Sequence, residues 1–217
     1  MRTRFDKEIE ELNDEVKKMG EFIDLTISNA MKALRENDIE LARQVAENDH
    51  VADEMEMSIE KKSLRILLSQ QPVARDLRTI STALKMITDM ERICDQAADI
   101  ADIIANFSGH NAQNYEILFD MAEKCVIMVT KAVDSFIASD VELARAVIAS
   151  DDEIDNLFIK VRSDLINRVV LDPESGEHEL DCFMISKYLE RIGDHAENIA
   201  EWVIFSITGE HKNKQIL

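Results

Sequence analysis

The chain has 217 residues, with 25 Lys and Arg against 44 Asp and Glu, so its formal net charge is −19. Such an acidic chain lacks the basic surface that nucleic-acid phosphates require, and an anionic membrane surface would repel it. With 46% hydrophobic residues and only five Gly, two Pro and two Tyr, the composition favours a folded, helical protein over a disordered or strand-rich one.

Apolar residues recur at helical spacing along almost the whole chain. The pattern predicts six long helices, near residues 4–35, 38–69, 74–107, 112–138, 140–169 and 179–208. The second and fifth of these open on a capping-box pattern, in which Asn37 precedes Glu40 and Ser139 precedes Glu142. The two prolines fall between predicted helices, where they end one helix or begin the next.

Two stretches of the chain repeat. DIELARQVAENDHVAD at 38–53 aligns with DVELARAVIASDDEID at 140–155, and ERICDQAADIA at 91–101 aligns with ERIGDHAENIA at 190–200. This tandem duplication predicts an all-α fold of two tandem three-helix bundles with short loops and antiparallel neighbours. We place the two domains at residues 1–109 and 110–217, with the seam in the polar stretch 108–114.

The cysteines and the N-terminus both point to the cytoplasm. Cys94, Cys125 and Cys182 are an odd number without Cys-x-x-Cys spacing, so they read as buried hydrophobic residues in a reducing compartment. The charged N-terminal segment does not resemble a signal peptide, and no uncharged stretch is long enough to span a bilayer. We therefore expect a cytoplasmic protein without direct membrane insertion.

The repeated strings carry carboxylates four residues apart, so each pair lies on one helix face. Like charges at this spacing destabilise a helix, yet the duplication retains them at four positions. Glu91 falls at the edge of the apolar arc of its helix rather than on the wet face. Asn198 is the neutral counterpart of Asp99, so the acids of the two repeats need not bind a metal equally. The candidate metal ligands are Asp49, Asp53, Glu91, Asp95 and Asp99 in the first repeat and Asp151, Asp155, Glu190, Asp194 and Asn198 in the second.

Partly buried carboxylates need a counter-cation, and two kinds are available. The arginines shared by the repeats, Arg43, Arg92, Arg145 and Arg191, could form salt bridges with them. Alternatively, acids from adjacent helices form an oxygen-rich site for Mg, Mn, Ca or iron.

The sequence shows none of the common catalytic motifs. The chain contains no glycine-rich phosphate loop, His-Glu-x-x-His motif or nucleophile elbow, so we predict no catalytic residues and no organic cofactor site. Glu47 and His50 form one Glu-x-x-His motif, whereas a di-iron carboxylate bundle that oxidises or stores iron uses two. The repeat positions are Ala149 and Asp152, so this alternative lacks its second motif.

The strings PVARDLRTISTALKMITDMERICDQAADIA at 72–101 and FMISKYLERIGDHAENIA at 183–200, with the repeats at 38–53 and 140–155, resemble the PhoU family of phosphate-uptake regulators. The likeness covers nearly the whole chain in both repeats. The family's acidic signature, an acid separated by three residues from an Asp, is associated with metal clusters. It matches four pairs here, which are Asp49 with Asp53, Glu91 with Asp95, Asp151 with Asp155 and Glu190 with Asp194. Cys94 stands where the second repeat has the more family-like Gly193.

The resemblance implies a non-enzymatic, cytoplasmic negative regulator of phosphate uptake and of phosphate-starvation signalling. Its expected partners are the ATPase subunit of the phosphate ABC transporter and the phosphate sensor histidine kinase, and it is expected to form a homodimer. The expected cofactors are cations held by the carboxylates, Fe, Zn, Mn or Mg, and no nucleic acid is expected to bind.

Overall fold

The computed structural model describes residues 2–70, 72–106, 115–211 and 214–215. Its helices are α1 (Arg2–Glu36), α2 (Ile39–Glu47), α3 (His50–Gln70), α4 (Ala74–Ala105), α5 (Glu116–Ala138), α6 (Val141–Leu171) and α7 (Gly176–Thr208), with a short 3₁₀ helix at Pro173–Ser175. Two short antiparallel strands, Glu210–His211 and Lys214–Gln215, follow α7. The all-α fold of two three-helix bundles is therefore confirmed, and the predicted seam at 108–114 lies outside the described residues.

Three predicted helix boundaries were wrong. The fourth predicted helix begins at Glu116 rather than at 112. The second predicted helix divides into α2 and α3 at Asn48 and Asp49. The Asn48 N–H donates to the Gln44 and Val45 carbonyls, which ends α2, and a new helix starts at His50. The last predicted helix begins at Gly176 rather than at 179, directly after the 3₁₀ turn.

The predicted caps are displaced by one residue in both repeats. Asp38 and Asp140, not Asn37 and Ser139, accept hydrogen bonds from the first N–H groups of α2 and α6. Asn37 and Ser139 instead adopt positive φ angles of 54° and 52° and end the preceding helices. This equivalence shows that the duplication extends to the backbone of the turn.

The two bundles pack against each other along α4 with α7 and along α1 with α5. Arg78 Nε donates to the Ser206 carbonyl and Thr82 Oγ1 to the Trp202 carbonyl, both at 3.2 Å, so α4 and α7 run antiparallel. On the other side, a Cβ at Gly20 would lie 3.2 Å from Val133 Cγ2, so glycine permits the close approach of α1 and α5.

One hydrophobic core runs through both bundles. The methionine stripe of α4, Met86 and Met90, is fully buried in it, as core packing predicted. Cys94, Cys125 and Cys182 are free and buried, which confirms their reading as small apolar residues. Burial raises the pKa of the Cys182 thiol to about 12, so that thiol stays protonated and unreactive at neutral pH. No described helix is long and apolar enough to cross a membrane.

Candidate functional site

The predicted acids form two groups, each shared by neighbouring helices of one bundle. We call the first group the first acidic face; it adds Glu56 of α3 to the predicted acids of the first repeat, which are Asp49, Asp53, Glu91, Asp95 and Asp99. We call the second group the second acidic face; it adds Glu197 of α7 and consists of Asp151, Asp155, Glu190, Asp194 and Glu197. Asn198 lies on α7, partly buried, four residues beyond Asp194.

The first acidic face lies between the start of α3 and the middle of α4. Burial raises the pKa of Asp49, and the negative charges of Asp95, Asp53 and Asp99 raise it further. Burial likewise raises the pKa of Glu91, whose side chain is 16% exposed, and Asp95 adds to that effect. These shared effects show that acids from two helices repel one another across a short gap.

The second acidic face repeats this arrangement between α6 and α7. Burial raises the pKa of Asp151 to about 7, with contributions from Glu197, Asp155 and Asp194. Burial also raises the pKa of Asp194, and Glu190 adds to the effect. The predicted pairs of both repeats are therefore brought together by the fold.

Basic side chains compensate only part of this charge. Arg92 contacts Glu91 at 3.5 Å and Asp95 at 3.1 Å, and Lys187 pairs with Glu190. Elsewhere, Arg145 pairs with Glu142, away from the acidic faces. Within the described residues, no ion pair reaches the remaining predicted carboxylates, which are Asp49, Asp53, Asp99, Asp151, Asp155 and Asp194. Salt bridges alone thus do not neutralise the two faces.

Two features suit the faces to a cation. Asp49 Oδ1 is buried and has no hydrogen-bond partner, so one acceptor is left for an ion or a water. A Cβ at Gly193 would lie 3.1 Å from Asp151 Oδ1, so this glycine leaves room for the carboxylate against α7. Oxygen donors of this kind are those that hard cations and iron bind.

The carboxylates of each acidic face do not converge on a single point. Among the described residues, no three His, Cys, Asp or Glu side chains are grouped closely enough to hold an ion as they stand. Occupation by a cation would therefore require the carboxylates to rotate toward one another. An open cavity of about 650 Å³ beside the first face, lined by Asp49, Asp95 and Asp99 together with Arg191, leaves space for that rotation.

The two histidines near the faces already have partners. His195 Nδ1 lies 2.9 Å from Asp89 Oδ1 of the other repeat, and His50 Nδ1 lies 2.9 Å from the Glu47 carbonyl oxygen. At the junction of the bundles, the Tyr188 hydroxyl donates a hydrogen bond to the Asp99 carboxylate, so Asp99 also contacts the second repeat. Its counterpart Asn198 carries no charge, which makes the two faces unequal, as the sequence indicated.

The sequence prediction missed Glu56 and Glu197. Each follows a predicted ligand by three residues, Asp53 and Asp194 respectively, so an i, i+3 search would have found both. Each also breaks the repeat, since Glu56 corresponds to Phe158 and Glu197 to Ala98. The repeat-based search therefore passed over them.

Comparison with known proteins identifies the family. A model of the PhoU domain matches the chain twice, at residues 16–104 and 118–203. The chain is 34% identical to a phosphate-specific transport system accessory protein PhoU homolog of Clostridium acetobutylicum, with 95% of both chains covered. A homolog of the same description from Pseudomonas aeruginosa is 33% identical, with 95% of this chain and 86% of the relative covered.

Solved structures agree with the sequence relatives. The crystal structure of PhoU from Pseudomonas aeruginosa superposes with a TM-score of 0.89 at 33% identity, covering 95% of this chain and all of the other. The phosphate transport system regulatory protein PhoU from Streptococcus pneumoniae also gives 0.89, at 27% identity, covering 95% of this chain and 98% of the other. The resemblance noted in the sequence is thus confirmed, and the chain belongs to the PhoU family.

Proposed function

We propose that this chain is a cytoplasmic, non-enzymatic negative regulator of phosphate uptake and of phosphate-starvation signalling. It acts as a homodimeric adaptor between the ATPase subunit of the phosphate ABC transporter and the phosphate sensor histidine kinase. Relatives described as phosphate-specific transport system accessory proteins support the phosphate role.

The observation that carries the adaptor mechanism is the pair of acidic faces. Six carboxylates of the predicted set lack an ion pair among the described residues, and the pKa of Asp49, Asp99, Asp151 and Asp194 is raised by burial and by their acidic neighbours. A surface of this kind is poorly suited to bind a protein until a cation neutralises it. A bound cation would supply the positive charge that balances the carboxylates and would fix them in one arrangement.

The chain's own residues would divide the work between the two faces. Asp49, Asp53, Glu91, Asp95 and Asp99 would hold the cation of the first face, and Asp151, Asp155, Glu190 and Asp194, with the amide of Asn198, that of the second. Fe, Zn, Mn and Mg are the candidates, because carboxylates bind them all. Arg92 and Lys187 neutralise part of the charge and leave the remainder for the ion.

The first experiment is elemental analysis of the purified, untagged protein, followed by thermal unfolding with and without chelator. We expect bound metal, and a fall in Tm when it is removed, because a ligand that binds only the folded state stabilises it. Absence of metal together with a Tm indifferent to chelator and to added ions would contradict the proposal.

Double variants locate the metal. Asp151→Asn with Asp155→Asn should remove metal from the second face while the helical circular dichroism signal is kept. The matched control is Glu116→Gln with Asp120→Asn, an exposed acid pair of the same spacing on α5 that should retain all metal. Equal metal content in the two double variants would contradict the assignment.

The adaptor role has its own test, which does not depend on the metal analysis. Binding of the purified ATPase subunit and of the kinase's cytoplasmic region is measured by calorimetry with metal-loaded and chelated protein. We expect binding to both partners, weakened by chelation. No binding to either partner in both states would refute the adaptor role even if the metal is present. Uptake of oxygen on addition of ferrous iron would favour the iron-oxidising alternative instead.

A further inference from the structure

The first acidic face opens on a cavity that both repeats line. Three of its predicted ligands, Asp49, Asp95 and Asp99, line this cavity of about 650 Å³ from the first repeat. Arg191 and His195 of α7 line it from the second repeat. A cation held by these three carboxylates would therefore lie at the junction of the two bundles, beside α4 and α7.

The charge around the cavity favours a cation over an anion. Among the described residues that line it are four carboxylates and two guanidinium groups, a surplus of two negative charges that one divalent cation balances. One of the guanidinium groups, that of Arg92, is already paired with Glu91 and Asp95. The four acids are Asp49, Asp89, Asp95 and Asp99, and the two basic residues are Arg92 and Arg191.

Two buried oxygen atoms of cavity-lining residues have no hydrogen-bond partner. They are Oδ1 of Asp49 and Oε1 of Gln96, and Gln96 as a whole is only 6% exposed. A buried acceptor without a partner destabilises the fold, so each one in a native structure calls for an explanation. Two such oxygens beside one acidic cavity point to a bound cation as the missing partner.

His195 is oriented by an acid of the other repeat. Its Nδ1 lies 2.9 Å from Oδ1 of Asp89, and the two side chains are 21% and 18% exposed. A carboxylate only accepts hydrogen bonds, so Nδ1 carries the proton and the neutral imidazole keeps its lone pair on Nε2. Within the part of the chain that the structure describes, Nε2 takes part in no hydrogen bond.

This pairing is the one that metal-binding histidines show. A histidine that binds a metal through one ring nitrogen commonly donates its other N–H to a carboxylate, which fixes the tautomer and the orientation of the ring. The contact between Asp89 and His195 meets this condition, and His195 lines the same cavity as the carboxylates. The carboxylates must rotate to converge, and the imidazole gives them a fixed ligand to converge on.

We propose that His195 binds the cation of the first acidic face through Nε2 and that Asp89 is the residue that positions it. The two repeats then share this site, with Asp49, Asp95 and Asp99 supplied by the first repeat and the imidazole by the second. The inference rests on the proposed metal function and deepens it, because a nitrogen ligand selects among metals.

The nitrogen ligand changes which cations the first face prefers. Imidazole suits Zn and Fe, whereas Mg takes oxygen ligands. The strings ERICDQAADIA and ERIGDHAENIA align His195 with Gln96, so the duplication supplies this imidazole only once. The first face should therefore prefer Zn to Mg more strongly than the second face does.

The test isolates each face in the full-length, metal-free chain. Asp151→Asn with Asp155→Asn leaves the first face intact, and Asp95→Asn with Asp99→Asn leaves the second intact. Zn and Mg binding are then measured by titration calorimetry. With only the first face intact, His195→Gln should weaken Zn binding at least about tenfold and change Mg binding by less than about twofold. Asp89→Asn should weaken Zn binding by a smaller factor, because the nitrogen ligand remains.

The matched control is His50→Gln, which makes the same change at an exposed histidine next to Asp49 and should leave the binding of both metals unchanged. A second measurement needs no variant of the chain. In the unmodified protein with isotope-labelled histidine nitrogens, Zn should shift the Nε2 resonance of His195 among the five histidines, and Mg should not. That resonance is assigned by its absence from the spectrum of His195→Gln.

Several results would overturn the proposal. An equal weakening of Zn and Mg binding in His195→Gln would show a structural role only. The same loss in His50→Gln, an effect confined to the second face, or an Nε2 resonance that Zn does not shift would each contradict the ligand assignment. If the first face binds neither metal, the proposed metal function fails as well. If it binds both and His195→Gln changes neither affinity, only this inference fails.

Discussion

The carboxylate of Asp151 makes the metal-free protein sensitive to pH in a direction that the structure determines. Burial and the charges of Glu197, Asp155 and Asp194 raise its pKa from 3.8 to about 7. A carboxyl whose pKa is higher in the folded state binds protons more tightly there, so its protonated form stabilises the fold. That contribution is fully present below pH 3.8 and is lost as the pH rises through about 7.

The magnitude follows from the linkage between protonation and unfolding. Between pH 5 and pH 8 the shift corresponds to about 2.6 kcal/mol at its full value, and screening by solvent at this partly exposed group reduces it to about 1.3 kcal/mol. For a chain of this size, that difference is about 4 °C in Tm.

The perturbation is Asp151→Asn, which removes the ionisable group and keeps the shape of the side chain. In EDTA the variant should melt above the unmodified protein at both pH values, and the difference in Tm between the two proteins should be about 4 °C larger at pH 8 than at pH 5. The control Asp164→Asn makes the same change at an exposed position of α6 outside the acidic face and should shift Tm by less than about 1 °C at either pH.

Calorimetry at the two pH values checks this prediction. A difference between Asp151→Asn and the unmodified protein that is the same at pH 5 and pH 8 would refute the reasoning, as would a variant that melts lower at pH 8. With metal added, the sign should reverse, because the unmodified protein then gains stability from the ion and the variant does not.

Three further predictions concern stability. Gly193→Ala should destabilise the fold by about 1–2 kcal/mol, because the new Cβ would lie 3.1 Å from Asp151 Oδ1 and 3.3 Å from Ile154 Cγ2. Gly176 has open space around it, so Gly176→Ala should be neutral or stabilising in the same urea titration. Asp140→Ala should cost about 1 kcal/mol by removing the cap of α6, and urea unfolding that stays unchanged would contradict the cap. Thr130→Val removes the 2.8 Å hydrogen bond that the Thr130 hydroxyl donates to Asp24, whose pKa is raised by burial. The resulting loss of about 1 kcal/mol in the free energy of unfolding should appear at pH 8 and shrink near pH 4. A loss that does not depend on pH would point to packing instead.

The helices and their duplication were predictable because they depend on local patterns. Apolar periodicity defined each long helix, and the repeated strings identified the two bundles before any packing was known. The break at Asn48 and Asp49 was not predicted, because apolar spacing continues across it while the backbone hydrogen bonds do not. The caps were placed one residue early because Asn37 and Asp38 are both good capping residues, and the left-handed φ of Asn37 is a property of the folded turn.

The acidic ligands were predictable as pairs because residues four apart on a helix share a face whatever the tertiary structure. Which pairs face each other, and how strongly, depended on packing. Only the fold brings Asp151 of α6 against Glu197 of α7 and raises its pKa, and only the fold shows that Arg92 and Lys187 compensate part of the charge while Asp49 Oδ1 keeps no partner.

The sequence by itself determined the helical class, the duplicated architecture, the acidic pairs and the family, because these follow from periodicity and from repeated strings along the chain. The tertiary structure alone decided that Glu56 and Glu197 belong to the acidic faces and that His195 pairs with Asp89 across the two repeats. The reason is physical. Burial, mutual repulsion and exposure depend on which helices lie side by side, and residues 106 positions apart become neighbours only when α4 packs on α7.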